Sequence, residues 1–349
     1  MRLGPSQRSL VTRAYLRYLA STRGPIVLGP YRSELGFEVL YWLPFLKWAL
    51  KAYGISPDRC VALSRGGMGA FYGVAHVVDL YELKTVDEVR LENQVDAEAR
   101  GLMKQTGVTT WDREIARAAV EKAGLKGGPH LLHPAWMYWL FEDFWGDRAG
   151  VVPLLSSHTD YTPLPTVNLP EGFTLPKAFV AVRFYDRHTF PLHEETRRLV
   201  TEVVHGLAET IPVVILNQAT CFDDHVDLPL SGPNVYALPT VKPESNFVMQ
   251  AAVLSRAQAF VGTYGGVAQW ALRYARPSLS FYTSFNGTAS AHLALSQRIS
   301  QRSNVPFEVC DLRALALWQS ALKHVTGFGR TASSGGLAAM PAAAESVPA

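Results

Sequence analysis

The chain has 349 residues, of which 48% are hydrophobic and 18% charged, and it carries a net charge of +3. That composition excludes a disordered chain, a coiled coil and a collagen-like repeat, and the length suits two domains of about 100–200 residues each. So small a positive surplus calls for no nucleic-acid partner, and no run of about 18 uncharged apolar residues marks a membrane span.

Arg2, Arg8, Arg13, Arg17, Arg23 and Arg32 fall in the first 33 residues, which contain no acid. Residues 1–24 read as a basic amphipathic helix. Leu10, Ala14 and Arg17 share one stripe, and Val11, Tyr15, Tyr18 and Leu19 widen the apolar side. One reading is a capping helix whose arginines face water; the other is peripheral contact with an anionic membrane. No uninterrupted apolar core follows the basic residues, so no secretory leader is expected. Cys60, Cys221 and Cys310 form no CxxC pair and read as reduced core residues. A cytoplasmic location follows, with the inner face of the membrane as the place where residues 1–24 would bring the chain.

Pro25 to Leu28 predicts a short buried strand ended by Gly29-Pro30, then a loop to Gly36 and a helix over 37–53 that is kinked or started at Pro44. Cys60 to Ser64 predicts a second strand, Arg65 to Gly69 a glycine-rich turn, and Ala70 onward a helix. Residues 85–125 read as helical, and the aromatic-rich 130–145 as core rather than as a substrate-facing wall. Prolines 153, 163, 165, 170 and 176 mark an interdomain linker. Strands follow over 177–185, 213–216, 235–238, 259–262 and 278–282, with helices over 192–210, 245–255 and 267–274. The alternation predicts an α/β protein with parallel sheets: two Rossmann-like domains, 25–165 and 166–330, facing each other across a cleft. Residues 331–349 are expected to be a disordered tail.

In open parallel sheets ligands sit beyond the carboxyl ends of strands, so the loops there are the informative ones. After the first strand come Gly29, Arg32, Gly36 and two carboxylates, Glu34 and Glu38, four residues apart. Either carboxylate is a candidate to take a proton from an acceptor hydroxyl; equally, Ser33 and Glu34 simply cap a helix. After the second strand, Arg65 and Gly67 offer contact to a sugar or phosphate, or only a tight turn. Gly67-Met68-Gly69 matches part of a dinucleotide fingerprint whose third glycine, Gly73, comes one place late. Arg183 ends a strand and Arg187 follows four residues on; forked guanidinium donors suit a diphosphate, with Asp186 to hold one of them. Thr263, Tyr264, Gly265 and Gly266 open a helix whose amides suit phosphate, and Lys242 and Glu244 open another that would reach a ribose or base. No metal site is expected: the ten histidines are scattered, and Asp223-Asp224-His225 reads as a polar loop. GxSxG and Walker A patterns are absent, and the Asn286-Gly287-Thr288 sequon reads as idle.

The early strand–loop–helix together with Val261-Gly262-Thr263-Tyr264-Gly265-Gly266-Val267-Ala268 resembles a GT-B glycosyltransferase. Arg183-Phe184-Tyr185-Asp186 is similar to the RxxD part of the HxRxxD motif of fucosyltransferase-like members, with Ala181 where they have histidine. The late segment also looks like the corresponding loop of heptosyltransferases. The resemblance implies an acceptor domain followed by a donor domain, and an arginine, here Arg183, on the donor diphosphate. It further implies no metal and no cofactor beyond a nucleotide-sugar co-substrate, and a glycan or lipid-linked saccharide as acceptor. A nucleotide-sugar epimerase, a pyruvyl transferase or a noncatalytic sugar- or nucleotide-binding protein on the same scaffold stand as alternatives.

Overall fold

The computed structural model describes residues 4–100, 104–145, 151–216, 225–284 and 290–314. The expected tail, Cys221, Asp223, Asp224 and the Asn286 sequon lie outside them. The first apolar run forms β1 (Ile26–Leu28), which lies between β2 (Cys60–Ser64) and β4 (His130–Leu132), with β3 (His76–Asp79) beyond β2. All pairs in this four-stranded sheet are parallel. A six-stranded parallel sheet contains β5 (Val180–Arg183), β7 (Val213–Ile215), β9 (Val235–Ala237), β10 (Ala259–Thr263), β11 (Ser278–Tyr282) and β12 (Phe307–Asp311) in the order β12-β11-β10-β5-β7-β9. A short antiparallel ribbon, β6 (Tyr185–Asp186) with β8 (Val226–Asp227), stands at the carboxyl end of β5. The chain therefore has the expected α/β architecture, two parallel-sheet units facing each other across a cavity.

Strand residues alternate between two apolar layers. Ile26, Leu28, Cys60 and Ala62 pack inward, whereas Val27, Val61 and Leu63 pack outward against Ile115, Ala119 and Val120. In the second sheet Ala181, Val214 and Phe260 face inward, and Val180, Val182, Val213 and Val261 face outward on Leu199, Val200 and Val204. Burial on both faces is why these strands read as unbroken apolar runs. The inner layer is continuous through both units and includes Trp42 and Phe45 of the first with Phe247 and Trp270 of the second.

The helix after β1 comes in three pieces: one turn at Leu35–Phe37, a wide π turn at Glu38–Trp42 and an α segment at Leu43–Tyr53. Pro44 has no N–H to offer the Leu40 carbonyl four residues back. That carbonyl instead accepts a 3.0 Å hydrogen bond from the Tyr161 hydroxyl.

Several expectations are corrected. Helix Pro5–Ser21 buries Thr12, Leu16 and Leu19, and Tyr15 stacks on Trp136 at 4.2 Å; the Leu10 stripe faces outward. Two of its arginines bind the protein, Arg8 to Glu142 at 2.8 Å and Arg13 to His158 at 2.9 Å. Ala70 does not begin a helix: a 3-10 turn at Met68–Phe71 ends by Gly73, whose φ of +69° breaks it, and β3 follows. Residues 85–125 hold two helices, Val86–Arg100 and Thr110–Lys122, the second started by a capping box between Thr109 and Asp112. The aromatic stretch begins with β4, after which His133 caps helix Pro134–Leu140 by accepting from the Ala135 amide. Cys60 is buried, but Cys310 on the edge strand β12 is exposed. Among the described residues no helix is long and apolar enough to cross a membrane.

Candidate active site

The carboxyl ends of β1, β5 and β10 open on a cavity of about 300 Å³ between the two units. Glu34, Gly36, Phe37 and Tyr41 wall it on the first unit's side, joined by Lys104. Arg183, Arg187, His225 and the turn Tyr264-Gly265-Gly266 wall it on the other.

Strand pairing sets the second wall. Gly262 lies beside Arg183 in the β10–β5 ladder, and a Cβ there would come within 2.1 Å of the Arg183 carbonyl oxygen. Arg183 is 3% exposed. Its Nε donates to Asp227 Oδ1 at 2.9 Å and its guanidinium lies 5.0 Å from the Tyr185 ring centroid, but its Nη2 is buried with no hydrogen-bond partner among the described residues. The anchor is thus Asp227 of β8 rather than the expected Asp186. Arg187 donates from Nη1 to the Tyr264 carbonyl at 3.4 Å, while among the described residues its Nε and the buried Tyr264 hydroxyl have no partner. An unmet buried donor costs about 1–3 kcal/mol. Here three such donors belong to residues lining one cavity. Beside them helix Gly266–Arg273 begins at Gly265 with no side-chain cap, so its first amides add to a positive field. At Gly265 a Cβ would come 2.3 Å from the Tyr185 hydroxyl and 2.8 Å from Arg187 Nη1, so a side chain there would push the ends of these two side chains aside.

On the first wall Glu34 Oε1 accepts from Lys104 Nζ at 2.6 Å, and the ammonium sits 3.4 Å from the Phe37 ring centroid. Burial would raise the Glu34 carboxyl, but the Lys104 charge and hydrogen bond, with Arg187 and His225 beyond, hold it below the ordinary carboxylate value. Burial also lowers Lys104, an effect that Glu34 partly offsets. Two glycines close the cavity floor: a Cβ on Gly36 would lie 2.9 Å from Gly266 Cα, and one on Gly266 would lie 2.7 Å from the Gly36 nitrogen.

Of the residues singled out in the sequence, Glu34, Gly36, Arg183, Arg187, Tyr264, Gly265 and Gly266 line this cavity. The others lie elsewhere, each for a visible reason. Glu38 is buried behind the wall, accepting from Ser64 Oγ at 2.5 Å and from the Tyr72 hydroxyl at 2.6 Å; burial pushes it up to about 7. Arg32 is spent on Asp96 at 3.0 Å, Asp112 at 3.5 Å and Asn93 at 2.7 Å, fastening the helices at 86–100 and 110–122 to the loop after β1. Gly29 backs onto β2, where a Cβ would come 2.2 Å from the Leu63 carbonyl oxygen. Arg65 donates to the Ser33 carbonyl and covers the Phe247 ring. The Gly67 amide donates to Asp79 Oδ2 at 2.7 Å, and Gly66 accepts from the amides of Phe247 and Val248 at 2.9 and 3.0 Å. The turn after β2 therefore docks the two units. Glu244, whose carbonyl oxygen a Gly67 Cβ would approach to 3.1 Å, belongs to that contact, and Lys242 is exposed beside it. Thr263 Oγ1 accepts from the Tyr185 amide at 3.1 Å, holding the arginine-bearing loop. Lys104, His188, Tyr41 and His292 line the cavity without having been singled out, and His225, read in the sequence as part of a polar loop, lines it too. Among the described residues no cluster of three or more His, Cys, Asp or Glu fit for a metal ion is found.

No family model and no curated protein matches the chain. Among solved structures it is similar to Escherichia coli heptosyltransferase WaaC with ADP, at 16% identity over 86% of this chain and 99% of that one, with a TM-score of 0.39. The glycotransferase of kitacinnamycin aligns at 15% identity over 84% and 87% of the two chains with a TM-score of 0.32. S. aureus MnaA with UDP aligns at 10% over 82% and 92% with a TM-score of 0.35.

Proposed function

We propose that the chain transfers a sugar from a nucleotide-sugar donor to the hydroxyl of a saccharide or lipid-linked acceptor. The observation that carries this reading is that Arg183, Arg187 and Tyr264, each with a buried donor that has no partner among the described residues, line one interdomain cavity beside an uncapped helix start. Such a set fits the oxygens of a diphosphate. Asp227 keeps Arg183 in place, so the guanidinium needs no reorganisation as charge develops. Across the cavity, Glu34 accepts the proton of the acceptor hydroxyl. That oxygen bonds to the anomeric carbon as the bond from carbon to diphosphate oxygen breaks, and the electron pair departs with the diphosphate. Arginines and helix amides carry the leaving-group charge in this scheme, with no cofactor. Both reacting partners are held by opposite walls, which supplies orientation.

Calorimetric titration with a panel of nucleoside diphosphates and nucleotide sugars tests the donor half. The wild type is expected to bind at least one, and Arg183→Ala to weaken that binding by about 10–100-fold, the worth of a charge-assisted hydrogen bond at about 1.5–3 kcal/mol. Binding unchanged in Arg183→Ala would sink the reading. Glu34→Gln is expected to retain donor binding while losing about 100-fold or more in turnover.

A further inference from the structure

Among the described residues Lys104 makes one strong polar contact, with the Glu34 carboxylate across the cavity from Arg183 and Arg187. Its neighbour Gln105 is 2% exposed and clamped twice, accepting from the Arg32 amide at 3.0 Å and donating to the Pro30 carbonyl at 2.8 Å. The backbone that carries Lys104 is thereby fixed to the loop after β1, close to Glu34, while its long side chain reaches into the cavity that Arg183 and Arg187 also line. A diphosphate in that cavity offers the ammonium a second, more highly charged anion.

We propose that Lys104 changes partner, leaving Glu34 for the donor's diphosphate, so that Glu34 is released as the base only when donor is bound. This rests on the donor reading above. While the ammonium is paired with it, the ionised carboxylate has its charge balanced and is a poor proton acceptor. Once the ammonium moves to phosphate oxygen, the Glu34 carboxylate loses its counterion and its affinity for a proton rises. The charged or titratable groups facing Glu34 are then Arg187 and His225 from the second unit and Tyr31 and Tyr138 from the first. No covalent bond changes in the exchange; an ion pair is traded for another. Premature deprotonation of water or acceptor in the absence of donor is suppressed by the same contact.

Inorganic pyrophosphate serves as the probe, titrated by calorimetry into wild type, Lys104→Met, Glu34→Gln and the double variant. Lys104→Met is expected to weaken binding about tenfold, and Lys104→Arg to retain most of it. Glu34→Gln removes the competing carboxylate and is expected to tighten binding severalfold, an effect that shrinks to less than about twofold when Lys104 is already Met. Equal tightening by Glu34→Gln with and without Lys104 reveals a field effect only and overturns the exchange, as does unchanged affinity in Lys104→Met. If Arg183→Ala weakens pyrophosphate binding while Lys104→Met does not, the exchange falls and the donor reading stands. If the wild type binds neither pyrophosphate nor any nucleoside diphosphate, both fall.

Discussion

Two carboxylates four residues apart have opposite fates. Glu34 shares the cavity with cations and stays ionised; Glu38 is fully buried, its Oε2 unmet, and burial pushes it up to about 7. The sequence could not separate them, because the π turn at Glu38–Trp42 decides where the second side chain goes. Asp79 nearby is also pushed up to about 7 by burial. An acid whose folded value exceeds its unfolded value of about 4–4.5 binds more protons when folded. Stability contributed by these two groups is then fully present below about pH 4 and is lost as pH rises through about 7, each ionisation costing on the order of 3 kcal/mol. Thermal unfolding should show Tm falling between pH 5 and 8, and Glu38→Gln should flatten that fall; an unaltered slope would refute the assignment. Arg183 was legible because it ends an apolar run. Lys104 was not, since it meets Glu34 only through a clamp 70 residues distant in sequence from the carboxylate it binds. Arg32 misled for the same reason in reverse: its partners Asp96 and Asp112 lie 64 and 80 residues away.

At the level of elements, parallel strands buried on both faces announced themselves as apolar runs, and β1, β2, β5, β7 and β10 were readable; β11 and the edge strand β9 were readable from their apolar residues although Leu279 and Tyr236 are exposed. The edge strand β3 was not: His76 and Val77 are half-buried or exposed, so its pattern lacks an unbroken apolar core. The glycine turn after β2 looked like a ligand loop because the same backbone freedom serves docking. Gly66 and Gly67 hold φ of +65° and +85°, and Cβ atoms there would come 2.5 Å from Phe247 and 2.8 Å from Val248. Gly67→Ala should therefore cost about 2–4 kcal/mol, from the left-handed backbone and the clash together. Chemical denaturation measures it, and a loss under 0.5 kcal/mol would show that the turn is slack.

Taken whole, the molecule packs its two sheets on one continuous inner layer. The proline-rich segment, expected to be a linker, is fastened to both units. The Asp160 amide donates to the Pro44 carbonyl and Tyr161 to Leu40 in the first; in the second, the Leu164 amide donates to the Arg273 carbonyl at 2.9 Å, and Arg256 to the Val167 carbonyl at 2.7 Å. Pro153 lies within helix Val151–Ser157, and only Pro163 to Pro176 fall where regular structure stops; their spacing did not show that the segment is tied down, since those bonds come from residues far along the chain.

The close backbone approach of Gly36 and Gly266 carries a consequence for how the proposed sugar transfer would proceed. With the floor of the cleft riveted at two residues that lack side chains, the two lobes have no hinge to swing on at that point. Under that proposal a nucleotide would enter and leave without clamshell closure about this contact. Small-angle scattering should find the radius of gyration the same with and without a nucleoside diphosphate.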